Sequence, residues 1–146
     1  MLSIIERVMV LQSVDVLSEV ATEHLAHVAA VATERSYEQG EVIFREADPS
    51  DAMYVVLEGE VRLSRGGRTV TVAREDEAFG TWSLLDDEPR VVDAVAASDC
   101  VLLRLAKDDF IDLLADNVEI TQAVLKGIVM RLRAVAGRVA GDKPRQ

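Results

Sequence analysis

Residues 79–95 decide the fold, and they read Phe79-Gly80-Thr81-Trp82-Ser83-Leu84-Leu85-Asp86-Asp87-Glu88-Pro89-Arg90-Val91-Val92-Asp93-Ala94-Val95. The glycine permits a close approach of the backbone, and the short amphipathic turn after it exposes backbone N–H groups. Arg90 brings a planar fork of donors that can hold an anion with two parallel hydrogen bonds. An apolar run of β type follows the arginine. The segment therefore predicts a cradle for an anion or a phosphate.

Short apolar runs separated by turn residues surround this segment on both sides. The clearest hairpin pairs Val61 and Leu63 with Val70 and Val72 across Gly66-Gly67, and we expect these apolar side chains to point inward. Further strands are predicted at residues 41–44, 53–57, 91–96 and 101–105. Many short strands at this spacing are typical of a sandwich or a jelly-roll barrel.

Helices are predicted before and after the strands. Leu2, Ile5 and Met9 recur at helical spacing, and a second helix is predicted to begin at Thr22, whose hydroxyl can cap it. A third begins near Asp108, where negative charge favours a helix start.

The last predicted helix covers residues 118–139 and carries an apolar stripe. Its members follow heptad spacing: Leu125, Ile128, Leu132, Val135 and Val139. Two interpretations stay open, because the stripe can pack against the barrel or form the seam of a dimer.

Composition sets limits on the class of protein. With 146 residues, of which 49% are hydrophobic and 4% aromatic, the chain predicts one domain with a largely aliphatic core. The net charge of −10 argues against binding of nucleic acid by the domain as a whole, because phosphate contacts need clustered Lys and Arg. No apolar stretch approaches the ~20 residues of a membrane span, so no membrane contact and a cytoplasmic location are expected.

Other chemistry-bearing residues are few. Cys100 is the single cysteine, which excludes an internal disulfide and predicts a small buried hydrophobe. His24 and His27 lie one helical turn apart beside Glu23, but a metal site would need a further ligand, so capping or solvated histidines are favoured. No nucleophile–base arrangement is present. We therefore expect no catalytic residue, no metal site and no enzyme.

The segment at 79–95 resembles the phosphate-binding cassette of the cyclic-nucleotide-binding superfamily, written F-G-E-x-x-L followed by P-R. Residues 40–44 resemble its G-E-x-I-F motif, and residues 51–61 resemble its D-x-(M/L)-Y-x-(I/V)-x-x-G-x-V motif, in the family's order. The resemblance implies a mainly β domain with flanking helices: a double-stranded β-helix (jelly-roll) barrel with N-terminal helices, a short cassette helix and C-terminal helices. The implied division of the single domain 1–146 is N-terminal helices at 1–33, the β-barrel at 34–106 with the cassette at 79–95, and C-terminal helices at 107–140.

The same resemblance implies a set of ligand-binding residues. They are Gly80, Thr81, Trp82, Ser83, Arg90, Val91 and Val92. Arg90 would contact the phosphate, while the others offer backbone groups beside it, except that Thr81 stands where the family has its ribose-binding Glu. The implied ligand is cAMP, cGMP or another phosphate-bearing molecule, with no further cofactor.

Two residues of the cassette depart from the family pattern. Thr81 is neutral and shorter than Glu, and because a bond to a charged acceptor contributes ~1.5–3 kcal/mol against about 1 for a neutral one, affinity should fall about tenfold or more. Asp93 stands where the family has a small or apolar residue, and it offers Arg90 an internal partner. Trp82 is interpreted as packing at the pocket mouth, with stacking on a base as the alternative.

Two functions therefore stay open. The first is a regulatory sensor in which a ligand at the cassette repositions the C-terminal helix. The second is a degenerate domain that binds no cyclic nucleotide and serves as an interaction or dimerisation module, with Arg90 neutralised by Asp93 or its neighbours. The partners expected are a second copy through the last helix, or adjoining domains of a longer protein, since residues 1–7 resemble bacterial members that carry this domain at their C-terminal end. A transcription factor of the catabolite-activator type would need a helix-turn-helix beyond the last helix.

Overall fold

A computed structural model describes residues 2–141 of the chain, with side chains described up to Arg138. The four helices are α1 (Ile4–Leu11), α2 (Thr22–Val31), α3 (Lys107–Asp116) and α4 (Val118–Gly141). The eight strands are β1 (Thr33–Tyr37), β2 (Val42–Phe44), β3 (Ala52–Glu58), β4 (Val61–Arg65), β5 (Arg68–Ala73), β6 (Ala78–Phe79), β7 (Asp93–Ala96) and β8 (Cys100–Ala106). Two short 3-10 helices, Asp15–Leu17 and Thr81–Leu84, complete the order, and we call the second one the cassette helix.

The strands form two antiparallel sheets that face each other. One sheet has the order β1-β8-β3-β6, and the other has the order β2-β7-β4-β5. Helices precede and follow the strands along the chain, and the arrangement belongs to the jelly-roll class that the sequence predicted. The weakest sequence signals belong to the two outer strands of the first sheet, since β1 is mostly polar and β6 has only two residues.

The β4–β5 hairpin is present, but two of its predicted inward residues differ from the prediction: Val70 is exposed, and Val72 pairs with Arg62 and so does not share the face of Val61 and Leu63. Gly66 and Gly67 both have positive φ, at 57° and 80°, which is the requirement of the turn type that matches strand twist. The prediction that Val70 points inward is wrong, because its side chain is 62% exposed. The reason is its position: β5 is the outer strand of its sheet, and the register shifts between Leu63 and Ser64 opposite it.

The N-terminal helices lie where the sequence predicts them, but the N-cap of the second helix differs from the prediction. Ser3 caps α1, since its Oγ accepts from the Glu6 backbone N–H and the Glu6 carboxylate accepts from the Ser3 N–H. The second helix does begin at Thr22, yet its cap is Ala21 and no side chain bonds to it there. The Thr22 hydroxyl instead accepts from the Gln12 amide at 3.3 Å.

Two buried clusters make up the core. One lies between the helices and a sheet face and contains Leu11, Leu17, Leu25, Phe110 and Ile120. The other fills the barrel, where the rings of Phe44, Tyr54 and Phe79 have centroids 5.2–6.1 Å apart. Cys100 is buried in this second cluster, as predicted, and burial raises the pKa of its thiol.

Most residues of the heptad stripe on helix α4 are not the residues through which the helix packs. Ile120 and Val124 are buried in the core, and Ile128 packs beside them. Leu125 and Leu132 are 58% and 64% exposed, so the stripe as a whole does not pack against the barrel. Val139 lies outside the described side chains, as Met1 and residues 142–146 lie outside the described chain. Within residues 2–141, no helix has the length and apolar character needed to cross a bilayer.

Candidate functional site

The cassette helix is placed by a glycine in the left-handed region. Strand β6 ends at Phe79, and Gly80 follows with φ of 71° before the helix Thr81–Leu84 begins. A Cβ atom on Gly80 would lie 2.7 Å from Nη1 of Arg90, closer than Cβ atoms approach other heavy atoms. The close backbone approach that the sequence predicted at Gly80 is therefore an approach to the Arg90 side chain.

The backbone of Arg90 is hydrogen-bonded through both its N–H and its carbonyl. Its N–H donates to the carbonyl of Asp48, and its own carbonyl accepts from the N–H of Ala47, both at 2.8 Å. The loop between β2 and β3 thus fixes the direction in which the arginine side chain leaves the chain.

The Arg90 guanidinium is directed into the protein and makes several contacts there. Only 3% of the side chain is exposed. Nη1 donates to Ser83 Oγ and Nη2 donates to the Ala52 carbonyl, each at 2.6 Å, while the guanidinium carbon lies 3.9 Å from the centroid of the Phe44 ring. Burial lowers the pKa of Arg90 from its ordinary value, with Tyr54 and Asp51 opposing that shift. The Nε atom is buried with no hydrogen-bond partner among the described residues.

Asp51 is the carboxylate that accompanies Arg90. Its two oxygens lie 3.5 Å from Nη2 of Arg90 and 3.6 Å from Nη2 of Arg104, and its side chain is 68% exposed. The prediction that Asp93 would be the internal partner is wrong, because the Asp93 carboxylate accepts from the N–H of Glu46 at 2.7 Å. Asp93 therefore secures the loop beside Arg90, and Asp51 supplies the negative charge.

A cavity of about 340 Å³ lies in front of Arg90. Six of the seven predicted ligand-binding residues line it: Gly80, Trp82, Ser83, Arg90, Val91 and Val92. Phe44 and Leu63 make its walls partly apolar, and the carboxylates of Asp86 and Glu88 also line it. We call this hollow the Arg90 cavity.

The seventh residue, Thr81, lines a different cavity on the other side of the cassette helix. This second hollow, of about 390 Å³, is also lined by Asp15, Trp82 and Arg131. Arg131 of α4 forms an ion pair with Asp15, and its guanidinium carbon lies 5.7 Å from the centroid of the Trp82 ring. Since Trp82 lines both hollows, it connects the Arg90 cavity to α4.

A lysine fixes the far end of the cassette loop. Nζ of Lys107, at the start of α3, donates to the Asp86 carbonyl and, at 2.6 Å, to the Asp87 carboxylate. The hydrogen bond and the charge of Lys107 lower the pKa of Asp87. Arg90 and Arg131 thus contact the cassette helix, and Lys107 holds the loop that follows it.

Comparison with known proteins identifies the family. The model of the cyclic nucleotide-binding domain matches residues 34–117, which is more than half of the chain. The chain belongs to the cyclic nucleotide-binding domain family.

Relatives of this domain include regulators from distant organisms. It is 42% identical over 85 residues to the cyclic AMP receptor protein of Thermus thermophilus, covering 55% of this chain and 39% of that protein. It is 33% identical to the cAMP-dependent protein kinase regulatory subunit of Aspergillus niger, covering 71% of this chain and 26% of that protein. The chain thus spans less than half the length of these relatives.

A solved structure shares the fold over nearly the whole chain. The N-terminal domain of a transcriptional regulator from Streptomyces coelicolor A3(2) superposes with a TM-score of 0.81 at 30% identity, covering 86% of this chain and 94% of that one.

Sequence reasoning about this cyclic nucleotide-binding domain missed two acidic residues at the cassette. Asp51 opens the motif at residues 51–61, so its place in the sequence was visible, but its contact with Arg90 was not assigned. Asp15 and Arg131 meet across most of the chain, and no local pattern marks such a pair.

Proposed function

We propose that this domain is a non-catalytic, cytoplasmic regulatory module that binds a small phosphate-bearing ligand in the Arg90 cavity, with a cyclic nucleotide as the first candidate. One observation carries the proposal: six residues of the predicted set line a single cavity that has a buried guanidinium at its wall. The printed names of two relatives, a cyclic AMP receptor protein and a cAMP-dependent kinase regulatory subunit, support the choice of ligand.

The contacts of Arg90 indicate which one a phosphate would replace. The bonds to Ser83 and Ala52 are short at 2.6 Å, whereas the contact with Asp51 is long at 3.5 Å. Asp51 is also largely exposed, so its release into water costs little. Asp51 does not line the Arg90 cavity, so a phosphate oxygen would approach the guanidinium from the cavity side. The exposed Asp51 carboxylate would then leave, and the guanidinium would stay paired with an anion.

The sugar side of such a ligand finds less support. Thr81 does not line the Arg90 cavity, and the carboxylates that do, Asp86 and Glu88, carry the same charge as the phosphate. We expect affinity for a cyclic nucleotide to be weaker by about tenfold or more than in a domain with the acidic residue at position 81.

A ligand in this cavity would reach α4 through Trp82. The indole ring lines the cavity on one side and contacts Arg131 on the other. Movement of the ring would change the Arg131–Asp15 ion pair, and thereby the position of α4 against the Asp15–Leu17 turn. The partner or adjoining domain that meets α4 would sense this change.

Isothermal titration calorimetry with cAMP and cGMP tests the ligand. We expect binding by the wild-type domain and a loss of about tenfold or more for Arg90→Lys, because lysine cannot reproduce the planar fork. Arg104→Lys is the matched control: it also faces Asp51 but does not line the cavity. An absence of heat at high micromolar ligand contradicts a cyclic nucleotide as ligand.

The variant Thr81→Glu distinguishes binding that is weak only because residue 81 is neutral from a cavity that cannot bind the nucleotide at all. Binding that tightens about tenfold in this variant supports a pocket that still accepts the nucleotide. If neither the wild type nor Thr81→Glu binds cAMP, cGMP or inorganic phosphate, the sensor function is refuted.

A second candidate function is an interaction or dimerisation module without a nucleotide. Two observations favour it: Arg90 is almost fully buried with its Nη donors already bonded, and α4 exposes Leu125, Val129 and Leu132 on neighbouring turns. Sedimentation velocity tests it. Leu132→Glu should convert a dimer to a monomer, while Val70→Glu, an equally exposed position on β5, should leave the dimer intact. A monomeric wild type at high micromolar concentration contradicts self-association through α4.

A further inference from the structure

A groove of about 650 Å³ lies between α1 and the end of β3, and it shares Ser13 and Asp76 with the cavity that Thr81 lines. Half of its ten lining residues are apolar: Leu2, Met9, Val10, Leu57 and Val101. Met9 is 65% exposed, and the adjacent Ile5 on the same helix is 73% exposed. None of the residues that line this groove lines the Arg90 cavity.

Four carboxylates stand among these apolar side chains. Glu6 and Glu34 have internal partners, since Glu6 caps α1 and Glu34 accepts from the Leu2 N–H and pairs with Arg7 at 3.3 Å. These backbone hydrogen bonds lower the pKa values of both groups. Glu58 and Asp76 are exposed, and neither has an ion-pair partner in the part of the chain that the structure describes.

Another hollow, distinct from the one that Thr81 lines, continues the same surface. It has about 390 Å³ and shares Glu58 and Val101 with the groove, and it adds Glu38, Glu41 and Asp99. No described lysine or arginine lines either hollow. We call the two together the acidic groove. It brings seven carboxylates to one surface around a row of apolar side chains.

The acidic groove contrasts with the treatment of charge elsewhere in the domain. Around the cassette, Asp15, Asp51 and Asp87 each face a cation. Water hydrates exposed carboxylates favourably. The exposed apolar side chains of Met9 and Ile5 beside them are instead stabilised when another surface covers them. A single occupant meets both requirements only if it carries positive charge and apolar side chains together.

We propose that the acidic groove docks a basic amphipathic segment of a partner protein. Apolar side chains of that segment pack on Met9, Leu57 and Val101, while its lysines or arginines face Glu58 and Asp76. Charge complementarity selects this occupant, because an acidic or phosphate-bearing partner would be repelled by the unpaired carboxylates. The site is separate from the ligand cavity, so it does not depend on whether a nucleotide binds.

A synthetic amphipathic peptide with lysines on one face and leucines on the other tests the proposal. We expect the peptide to bind the full chain and to shift the amide NMR resonances of Met9, Leu57 and Val101. Glu58→Gln combined with Asp76→Asn should weaken binding about fivefold, the sum of two exposed ion pairs. Replacement of the peptide's leucines by serine should weaken it by a similar factor, because the apolar contact is lost.

The matched control removes the same charge elsewhere. Asp112→Asn combined with Asp116→Asn changes two exposed carboxylates on α3 that line neither hollow, and binding should change less than about twofold. Equal weakening by both double variants would show attraction to net charge alone and would overturn the proposal. It is likewise overturned if the leucine-free peptide binds as tightly, or if no peptide binds at millimolar concentration.

Discussion

Arg90 and Arg131 flank the same cassette helix, but the structure holds them in opposite ways. Arg90 is 3% exposed, stacks on Phe44 and donates to Ser83 and Ala52. Arg131 is 47% exposed, pairs with a carboxylate that is itself 62% exposed, and contacts the Trp82 ring of the cassette helix. A buried charge with short hydrogen bonds is costly to release, whereas an exposed ion pair contributes little.

The difference divides the cassette into a fixed side and an adjustable side. The fixed side carries Arg90, the residue that we propose contacts the ligand phosphate, and the adjustable side meets α4. A domain that transmits a signal needs both, because the ligand must meet a preformed group while some other contact changes at low cost. The four predictions below test this division.

The largest effect is expected from Arg90→Ala. The substitution removes hydrogen bonds to Ser83 and Ala52 and the stacking on Phe44, and it leaves buried acceptors without a donor. We expect a loss of about 2–4 kcal/mol in the free energy of unfolding, measured by urea denaturation. An unchanged urea midpoint would show that Arg90 is not part of the fixed side.

A smaller effect is expected from Gly80→Ala. The residue has φ of 71°, and its new Cβ would lie 2.7 Å from Nη1 of Arg90. Gly67→Ala is the control, because Gly67 has φ of 80° and nothing within 4 Å of its Cβ. The control should lose about 1 kcal/mol from backbone strain alone, and Gly80→Ala about 1 kcal/mol more because Arg90 cannot yield freely. Equal losses would mean that the guanidinium moves aside easily.

Most of the fold could be predicted from the sequence because its signals are local. The alternation of Val61 and Leu63 and the Gly66-Gly67 turn each specify a backbone shape within a few residues. Val70 was misjudged because alternation tells which residues of one strand share a face, but not how that strand registers with its partner. Leu63 lies opposite Thr71, and Val70 falls at the register shift, where it is exposed.

The candidate site was predictable only in part, for the same physical reason. Motif spacing gathered Gly80, Ser83 and Arg90, which lie within one short segment. The partner of Arg90 was wrongly expected nearby at Asp93, whereas Asp51 lies far away in the sequence, at the end of the loop before β3. Contacts between distant segments depend on how the layers pack, and charge patterns along one sequence do not encode them.

On the adjustable side, Arg131→Ala should change fluorescence more than stability. Trp82 is the single tryptophan of the chain, so its emission reports directly on the contact with Arg131. We expect a shifted emission spectrum together with a loss of less than about 1 kcal/mol in unfolding free energy. Arg133→Ala, the same change two residues along α4, serves as the control and should leave the emission unchanged. Identical spectra for both variants would contradict contact between Arg131 and the indole.

The smallest effect concerns the third cation at the cassette, Lys107, and it should depend on pH. Lys107 lowers the pKa of Asp87 below its ordinary value of 3.8, so the folded state binds a proton on this group less readily than the unfolded state. Its contribution to stability is therefore present above pH 3.8 and is lost as the pH falls through the lower, folded-state pKa. Asp87→Asn should slightly lower the urea midpoint at pH 7, and the difference from wild type should shrink as the pH falls below 3.8.

A double-mutant cycle separates this contact from a general charge effect. In a Lys107→Met background, Asp87→Asn should have no further effect at pH 7, because the cation that stabilises the carboxylate is already absent. A difference that persists unchanged at low pH, or in the Lys107→Met background, would mean that the Asp87 carboxylate acts elsewhere.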